Sequence, residues 1–116
     1  MLAYDKYEGS PYQWNFDPAT SVFLKLVGYT NDTKMVALSE NDKIPSIERM
    51  VNEGAWWSYF CPWYGEHLMS DRYQDVDNLN EIYNSDYCIT LDELPADLYV
   101  NSDTPGTPAE TTTTAP

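Results

Sequence analysis

The apolar positions of this 116-residue chain form short runs that alternate between two periodicities. Runs of strand length occupy residues 2–4, 35–39 and 55–61. Between and after them, apolar residues recur every three or four positions, which predicts helices over residues 18–29, from the entry at 44–46 to Gly54, and over 76–83. Strands that alternate with helices indicate βα units and a parallel sheet, so the predicted fold class is α/β.

Residues with known positional preferences mark the ends of these elements. Asp17 and Pro18 predict an N-cap and a first helical position, and Gly54 predicts a helix stop. The apolar segment 87–91 is expected to pack against the outside of the fold. Three strands cannot close a barrel, and the first lacks its beginning. The pattern therefore indicates a piece of a larger α/β barrel.

Two strand ends carry candidate chemistry. The second strand breaks into Ser39, Glu40 and two more polar residues, and the third ends before Trp63. In α/β barrels, catalytic side chains stand at the carboxyl ends of strands. Indoles stack on sugar rings and carboxylates cleave glycosidic bonds, so the pair suggests a sugar site. The alternative stays open here: Glu40 is a solvated loop residue, and the tryptophans, Trp56 and Trp57 above all, form the core.

Charge and composition narrow the partners. The net charge of −13 repels phosphates, so neither nucleic acid nor an anionic membrane is an expected partner. A neutral polysaccharide is indifferent to that field, and an aromatic content of 15% suits a carbohydrate-binding face. Cys61 and Cys88 match no metal-ligand spacing and allow at most one disulfide. His67 is the only histidine, so no metal site is expected.

The composition changes near residue 100, which divides the chain into a folded part, 1–99, and a Thr/Pro-rich tail, 100–116. The tail has no core-forming residues and is predicted to be disordered. Such segments often link the modules of secreted polysaccharide-degrading proteins, which suggests an extracellular protein with a possible further module. The alternative is a frayed terminus without a role. No run reaches transmembrane length, and the first residues are not a signal peptide.

Four segments, taken in order, resemble the final third of glycoside hydrolase family 26, which consists chiefly of endo-β-1,4-mannanases. They are Tyr4-Asp5-Lys6-Tyr7, Val36-Ala37-Leu38-Ser39-Glu40-Asn41, the aromatic run from Trp57 to Gly65, and the closing segment 83–95. The resemblance covers about residues 1–99. Any one of these motifs alone would be weak, and it is their order that makes the resemblance specific.

The resemblance implies a (β/α)8 TIM barrel of which this chain supplies strands six to eight. It also implies a retaining mechanism with two glutamates and no cofactor. Glu40, ending strand seven, matches the catalytic nucleophile. Trp63, ending strand eight, resembles the tryptophan that floors the subsite for the cleaved sugar, and Asp5 and Tyr7 resemble the pair beside the nucleophile. The implied substrate is mannan, glucomannan or galactomannan.

One departure limits the expected activity. The family's acid/base glutamate follows strand four, which this chain does not contain, so the 116 residues alone are expected to be inactive. Two alternatives remain: activity of the same family on β-glucan or β-xylan, and a non-catalytic carbohydrate-binding or interaction module in which Glu40 is dispensable.

Overall fold

A three-stranded parallel sheet organises the molecule. The computed structural model describes residues 1–7, 11–12 and 15–98. Strands β1 (Leu2–Lys6), β2 (Val36–Asn41) and β3 (Phe60–Pro62) lie in the order β1-β2-β3, each parallel to its neighbour. The predicted α/β class with a parallel sheet is confirmed. The predicted tail and its boundary at residue 100 lie outside the described residues.

The central strand explains why the sheet forms. Val36, Ala37 and Leu38 are all buried, so β2 is covered on both faces, as a strand in the middle of a parallel sheet must be. A continuous apolar run in place of an alternating one is the sequence signature of such a strand. At its carboxyl end the chain turns polar, which brings Ser39, Glu40 and Asn41 to the edge of the sheet.

Among the described residues, four α-helices accompany the sheet: α1 (Thr20–Tyr29), α2 (Ile47–Glu53), α3 (Glu66–Met69) and α4 (Val76–Tyr83), followed by a 3-10 turn at Leu91–Glu93. The predicted bounds of α4 are confirmed. In α2, the Ser46 hydroxyl accepts a hydrogen bond from the Arg49 N–H, and Gly54 ends the helix with a φ of 71° that favours glycine. Helix α3 lies between β3 and α4, where the apolar pattern predicted no helix. None of the helices within the described ranges is long and apolar enough to cross a membrane.

The start of α1 differs from the prediction. Asp17 was expected to cap a helix beginning at Pro18, but the helix begins at Thr20 after Ala19, whose φ is 51°. The Asp17 carboxylate instead accepts a hydrogen bond from the Ala19 N–H at 2.6 Å. The Pro18 carbonyl accepts a hydrogen bond from the Trp57 indole at 2.7 Å, so a tertiary contact outweighs the local capping preference.

The third strand is also shorter and later than the predicted span of 55–61. The Trp57 N–H donates to the carbonyl of Ala55, which turns the chain before β3 begins. The turn buries Trp57, whose ring contacts Phe23 edge-on at 5.2 Å, but leaves Trp56 49% exposed against Tyr87. Both tryptophans were expected in the core or the barrel wall; Trp57 lies in the core, whereas Trp56 does not.

The core has two parts that share the side chain of Phe60 at their boundary. The larger lies between α1, α2 and the sheet, and the smaller lies between α2 and α4. The larger contains Phe23, Val36, Leu38, Met50, Ala55 and Trp57, and the smaller contains Ile44, Ile47 and Ile82.

The segment 87–91 covers the fold only in part. Cys88 packs against the smaller core cluster, whereas Ile89 and Leu91 are exposed, so the expected packing holds at Cys88 alone of these three. The Cys61 and Cys88 thiols are both free. No disulfide therefore ties this segment to β3.

Candidate active site

The carboxyl ends of all three strands meet at one edge of the sheet. Asp5 and Lys6 end β1, Glu40 and Asn41 end β2, and Trp63 follows β3 directly. Asp5 stands opposite Glu40 in the register, and Asn41 stands opposite Pro62. Because the strands are parallel, every candidate from the sequence lies at the same edge, where α/β-barrel enzymes place their catalytic groups.

A bulge in β2 shapes this edge. Tyr4 pairs with Leu38 and Asp5 pairs with Glu40, so Ser39 has no partner in β1. The register between β2 and β3 shifts over the same residues, since three steps from Leu38 to Asn41 match two steps in β3. A bulge changes the direction of the side chains around it, and such bulges are common beside active sites. Here the redirected residue is Glu40.

Glu40 is held by a tyrosine from the loop after β1. The Tyr7 hydroxyl donates a hydrogen bond to Oε2 of Glu40 at 2.9 Å, between residues 33 positions apart in the chain. Glu40 is partly buried, and Tyr7 is about half exposed. A phenol that donates to a carboxylate fixes one oxygen and leaves the other for a reaction.

The environment of Tyr7 keeps that donor protonated. Partial burial, the hydrogen bond to Glu40, and the nearby charges of Glu40, Asp5 and Asp42 raise the pKa of Tyr7 from its ordinary value of 10.0 to about 12. The phenol therefore donates to Glu40 throughout the neutral range. Each cause disfavours a negative phenolate beside existing carboxylates.

Asp5 faces the bulge and does not contact Glu40 through a hydrogen bond of its own. The Ser39 hydroxyl donates to Oδ1 of Asp5 at 2.5 Å. This bond joins β1 to the one residue of β2 that lacks a ladder partner there. Asp5 is exposed, so its second oxygen stays open to solvent. Its position beside Glu40 allows either support of the bulge or contact with a ligand.

Trp63 is fixed by its backbone and open along its ring. Its N–H donates to the Asn41 carbonyl at 2.8 Å, while the side chain is 39% exposed. The neighbouring Tyr64 ring lies 5.1 Å away, tilted by 51°. An anchored tryptophan with an open face at the edge of the sheet is suited to stacking on a sugar ring.

Buried polar groups hold the loop that follows β2 through an ion pair and hydrogen bonds. Lys43 forms an ion pair with Asp42 at 3.2 Å, and both side chains are buried. The Gln74 amide donates to the carbonyls of Asp42 and His67 and accepts from the Ile44 N–H. Buried polar networks with satisfied hydrogen bonds rigidify their surroundings. The loop that leaves β2 after Glu40 is therefore fixed along several residues.

His67 lies beside the tyrosine that contacts Glu40. Its ring packs on Tyr73 at 4.0 Å and meets Tyr7 edge-on at 6.3 Å. Its Nδ1 is buried without a hydrogen-bond partner among the residues that the structure describes. His67 therefore contributes to the packing around Tyr7. Within those same residues, no group of three His, Cys, Asp or Glu side chains could hold a metal ion.

Two other glutamates are engaged in ion pairs and hydrogen bonds of their own. Glu53, at the end of α2, accepts hydrogen bonds from Thr20 and Arg49, and Glu66 forms an ion pair with Arg72. Glu48 is exposed in the first turn of α2, and Glu8 lies outside the described residues. These contacts place Glu53 and Glu66 in structural roles.

Similarity to known proteins agrees with this arrangement. No protein-family model matches the chain. Over 79 residues, 68% of the chain, it is 35% identical to mannan endo-1,4-beta-mannosidase A of Piromyces sp. A crystal structure of a ruminal GH26 endo-beta-1,4-mannanase matches 82% of the chain with a TM-score of 0.75 and 42% sequence identity. The chain belongs to glycoside hydrolase family 26.

A further solved neighbour is a beta-mannanase from a symbiotic protist of the termite Reticulitermes speratus, in complex with a gluco-manno-oligosaccharide. It matches 80% of the chain with a TM-score of 0.67 and 25% identity. The chain spans only 13% of the Piromyces relative, and 21% and 27% of the two solved chains. The three-stranded sheet is thus a partial α/β fold related to the TIM barrels of this family.

Sequence reasoning did not single out the residues that connect the candidates. Ser39 supports Asp5, Asn41 contacts both β3 and Trp63, and Gln74 fixes the loop after β2. For Gln74 the link spans about 30 residues of sequence, and no local pattern shows it. Asn41 did carry a signal, because it is a polar residue at the end of a strand that is buried on both faces.

Proposed function

We propose that this chain supplies strands six to eight of a retaining endo-β-1,4-mannanase barrel, with Glu40 as the nucleophile. The hydrogen bond from Tyr7 to Glu40 supports the proposal most directly. It orients a partly buried carboxylate at the carboxyl edge of a parallel sheet, the same edge at which the exposed Trp63 follows β3. The mannanase relatives share this segment, and the hydrolysis of mannan, glucomannan or galactomannan is the activity that best fits it.

In the proposed first step, the free oxygen of Glu40 attacks the anomeric carbon of the sugar. The glycosidic bond breaks, and its oxygen takes a proton from a carboxylic acid that another part of the barrel supplies. The product is a glycosyl ester on Glu40. In the second step the acid that gave up its proton, now a carboxylate, removes a proton from water. The water attacks the anomeric carbon, and Glu40 leaves as a carboxylate.

The other residues act on this carboxylate or on the sugar. Tyr7 keeps its proton, orients Glu40 and stabilises its ionised form. Trp63 stacks on the sugar ring whose glycosidic bond is cleaved, and its open face tolerates the flattening of that ring in the transition state. Asp5 lies within the same cluster and is proposed to contact the sugar or the bulge. No cofactor takes part.

The location of the protein belongs to the proposal as well. A Thr/Pro-rich tail after the folded part suits a secreted polysaccharide-degrading protein with a further module. The substrate is a polymer outside the cell, which agrees with that location.

The test uses a hybrid barrel, in which residues 1–98 of this chain replace the matching segment of the ruminal mannanase. The unmodified hybrid barrel is expected to hydrolyse mannan. Glu40→Ala is expected to lower kcat by at least about 10³-fold while mannan binding survives, since only the covalent route is removed. On a mannoside with a good leaving group, azide is expected to restore turnover and to yield the α-mannosyl azide.

Three outcomes would contradict the proposal. An inactive hybrid barrel that folds and binds mannan would remove the catalytic role of the segment and favour a binding module. More than a tenth of the parent activity in the Glu40→Ala variant would remove Glu40 as nucleophile. Higher activity on β-glucan or β-xylan than on mannan would change the substrate.

A further inference from the structure

Asn41 makes contacts that a strand-end residue does not need for the ladder alone. Its side chain is completely buried. Its Oδ1 accepts a hydrogen bond from the Cys61 N–H at 3.1 Å, and its Nδ2 donates to the Lys43 carbonyl at 3.0 Å. Its own carbonyl accepts from the Trp63 N–H at 2.8 Å. One residue therefore contacts the backbone on both sides of the β3 strand end.

The bulge explains why a side chain is needed there. Between Leu38 and Asn41, β2 has one residue more than β3, so the backbone ladder shifts at this point. The Cys61 N–H is paired with the Asn41 amide oxygen, which serves as its acceptor where the ladder is shifted. The Asn41 side chain thus replaces a backbone hydrogen bond at the bulge next to Glu40. Its partner lies in β3, the strand that Trp63 follows.

We propose that Asn41 is a positioning residue that fixes Trp63 relative to Glu40. Asn41 follows Glu40 directly in the chain, and its hydrogen bonds with the N–H groups of Cys61 and Trp63 lie on either side of Pro62. The distance between carboxylate and indole is then set by one rigid, buried unit instead of by two independent loops. This inference rests on the roles of Glu40 and Trp63 in the proposed function.

The test is a double-mutant cycle in the hybrid barrel, with Asn41→Leu and Trp63→Ala. Leucine keeps the branched shape and the number of heavy atoms of asparagine but makes neither side-chain hydrogen bond. We expect Asn41→Leu to lower kcat/KM on mannan by about 30-fold when Trp63 is present, and by less than about 3-fold in combination with Trp63→Ala. A residue that acts through Trp63 loses its effect when Trp63 is removed.

Gln74→Leu provides the matched control. Gln74 is as deeply buried as Asn41 and also hydrogen-bonds to the backbone of the loop after β2, but it has no contact with β3 or Trp63 among its hydrogen bonds. We expect it to lower Tm and to change kcat/KM by the same factor with and without Trp63→Ala. A purely structural asparagine would behave in the same way.

The outcomes separate the two proposals. If Asn41→Leu lowers kcat/KM equally in both backgrounds, or not at all, the positioning role is wrong while the proposed function stands. If the Glu40→Ala variant keeps its activity, the proposed function fails first. Should Asn41→Leu not fold, Asn41→Ser, which removes less of the side chain, goes through the same cycle with the same criteria.

Discussion

The carboxyl edge of the sheet and the free side of β3 are built in opposite ways. At the edge, side chains make hydrogen bonds between neighbouring parts of the sheet: Tyr7, just after β1, donates to Glu40, Ser39 donates to Asp5, and Asn41 accepts from the backbone of β3. Beside β3, an open cavity of about 420 Å³ is lined mainly by apolar and aromatic side chains, among them Met50, Ile82 and Tyr83.

The two regions differ in whether the chain's own residues supply all of their contacts. β1 and β3 each pair with β2 only, so within the described sheet each has one unpaired side. In a closed barrel both sides of every strand are paired. The chain therefore positions its half of the proposed catalytic site with its own contacts, while its packing needs further strands.

The largest expected effect concerns the chain by itself. We expect residues 1–116 alone to show no mannan hydrolysis, to unfold with low cooperativity, and to bind the dye ANS, because strand sides and apolar surface are open and the proposed acid/base belongs to another part of the barrel. Thermal unfolding, ANS fluorescence and a reducing-sugar assay measure these properties. The hybrid barrel is the control, with a sharp transition and little dye binding. A sharp two-state melt together with mannan hydrolysis by the isolated chain would contradict the expectation that its packing needs further strands.

Two tryptophans in the hybrid barrel distinguish a residue of the apolar core from a residue of the carboxyl edge. Trp57→Ala is expected to cost about 3–5 kcal/mol of unfolding free energy, since it empties the core beside Phe23. Trp63→Ala is expected to leave stability nearly unchanged and to raise the transition-state barrier by about 1–3 kcal/mol, a magnitude taken by analogy with aromatic contacts. Denaturant titration and kcat/KM on mannan distinguish the two.

Trp56 is the matched control for these variants, because it adjoins Trp57 in sequence but is half exposed. Trp56→Ala should lower the unfolding free energy by much less than Trp57→Ala does. If Trp63→Ala instead lost stability with unchanged kinetics, its role would be packing.

A smaller effect is expected from Tyr7→Phe, which removes only the hydroxyl that donates to Glu40. We expect kcat to fall by about 10-fold, the loss of one hydrogen bond to a charged group. A change of less than twofold in kcat would mean that the bond seen at 2.9 Å does not assist catalysis.

The same variant has a signature in alkaline solution. The pKa of Tyr7 is raised from 10.0 to about 12, so the folded state keeps a proton that the unfolded state releases. The stabilisation is complete below pH 10 and is lost as the pH rises through 12. The stability difference between the parent and Tyr7→Phe should therefore shrink over that interval, as measured by urea unfolding. A constant difference would contradict the raised pKa.

Local patterns were sufficient to predict much of the fold. The period of α4, the Ser46 and Gly54 ends of α2, and the apolar run of β2 all act within a few residues, so the sequence shows them directly. The start of α1 and the span of β3 were predicted wrongly. The start of α1 goes with the hydrogen bond from Trp57 to Pro18, which joins residues 39 positions apart, and the late start of β3 goes with the turn between Ala55 and Trp57.

The candidate site divides in the same way. The resemblance to family 26 drew attention to Asp5, Tyr7, Glu40 and Trp63, and the parallel register accounts for their common edge. Neither pattern nor resemblance indicated the bulge at Ser39 or the amide of Asn41. A bulge is a mismatch between two strands, and a single strand's sequence does not contain it.

The central claim is that Glu40 forms the covalent intermediate. A 2-deoxy-2-fluoro-β-mannosyl fluoride traps the glycosyl ester, because the 2-fluorine slows both steps while the fluoride leaving group keeps the first step fast. We would incubate it with the hybrid barrel, digest the protein with pepsin, and locate the added mass by tandem mass spectrometry. The account predicts one label per protein, on Glu40, and no label in the Glu40→Ala variant. A label on Asp5 or on any other carboxylate would contradict it.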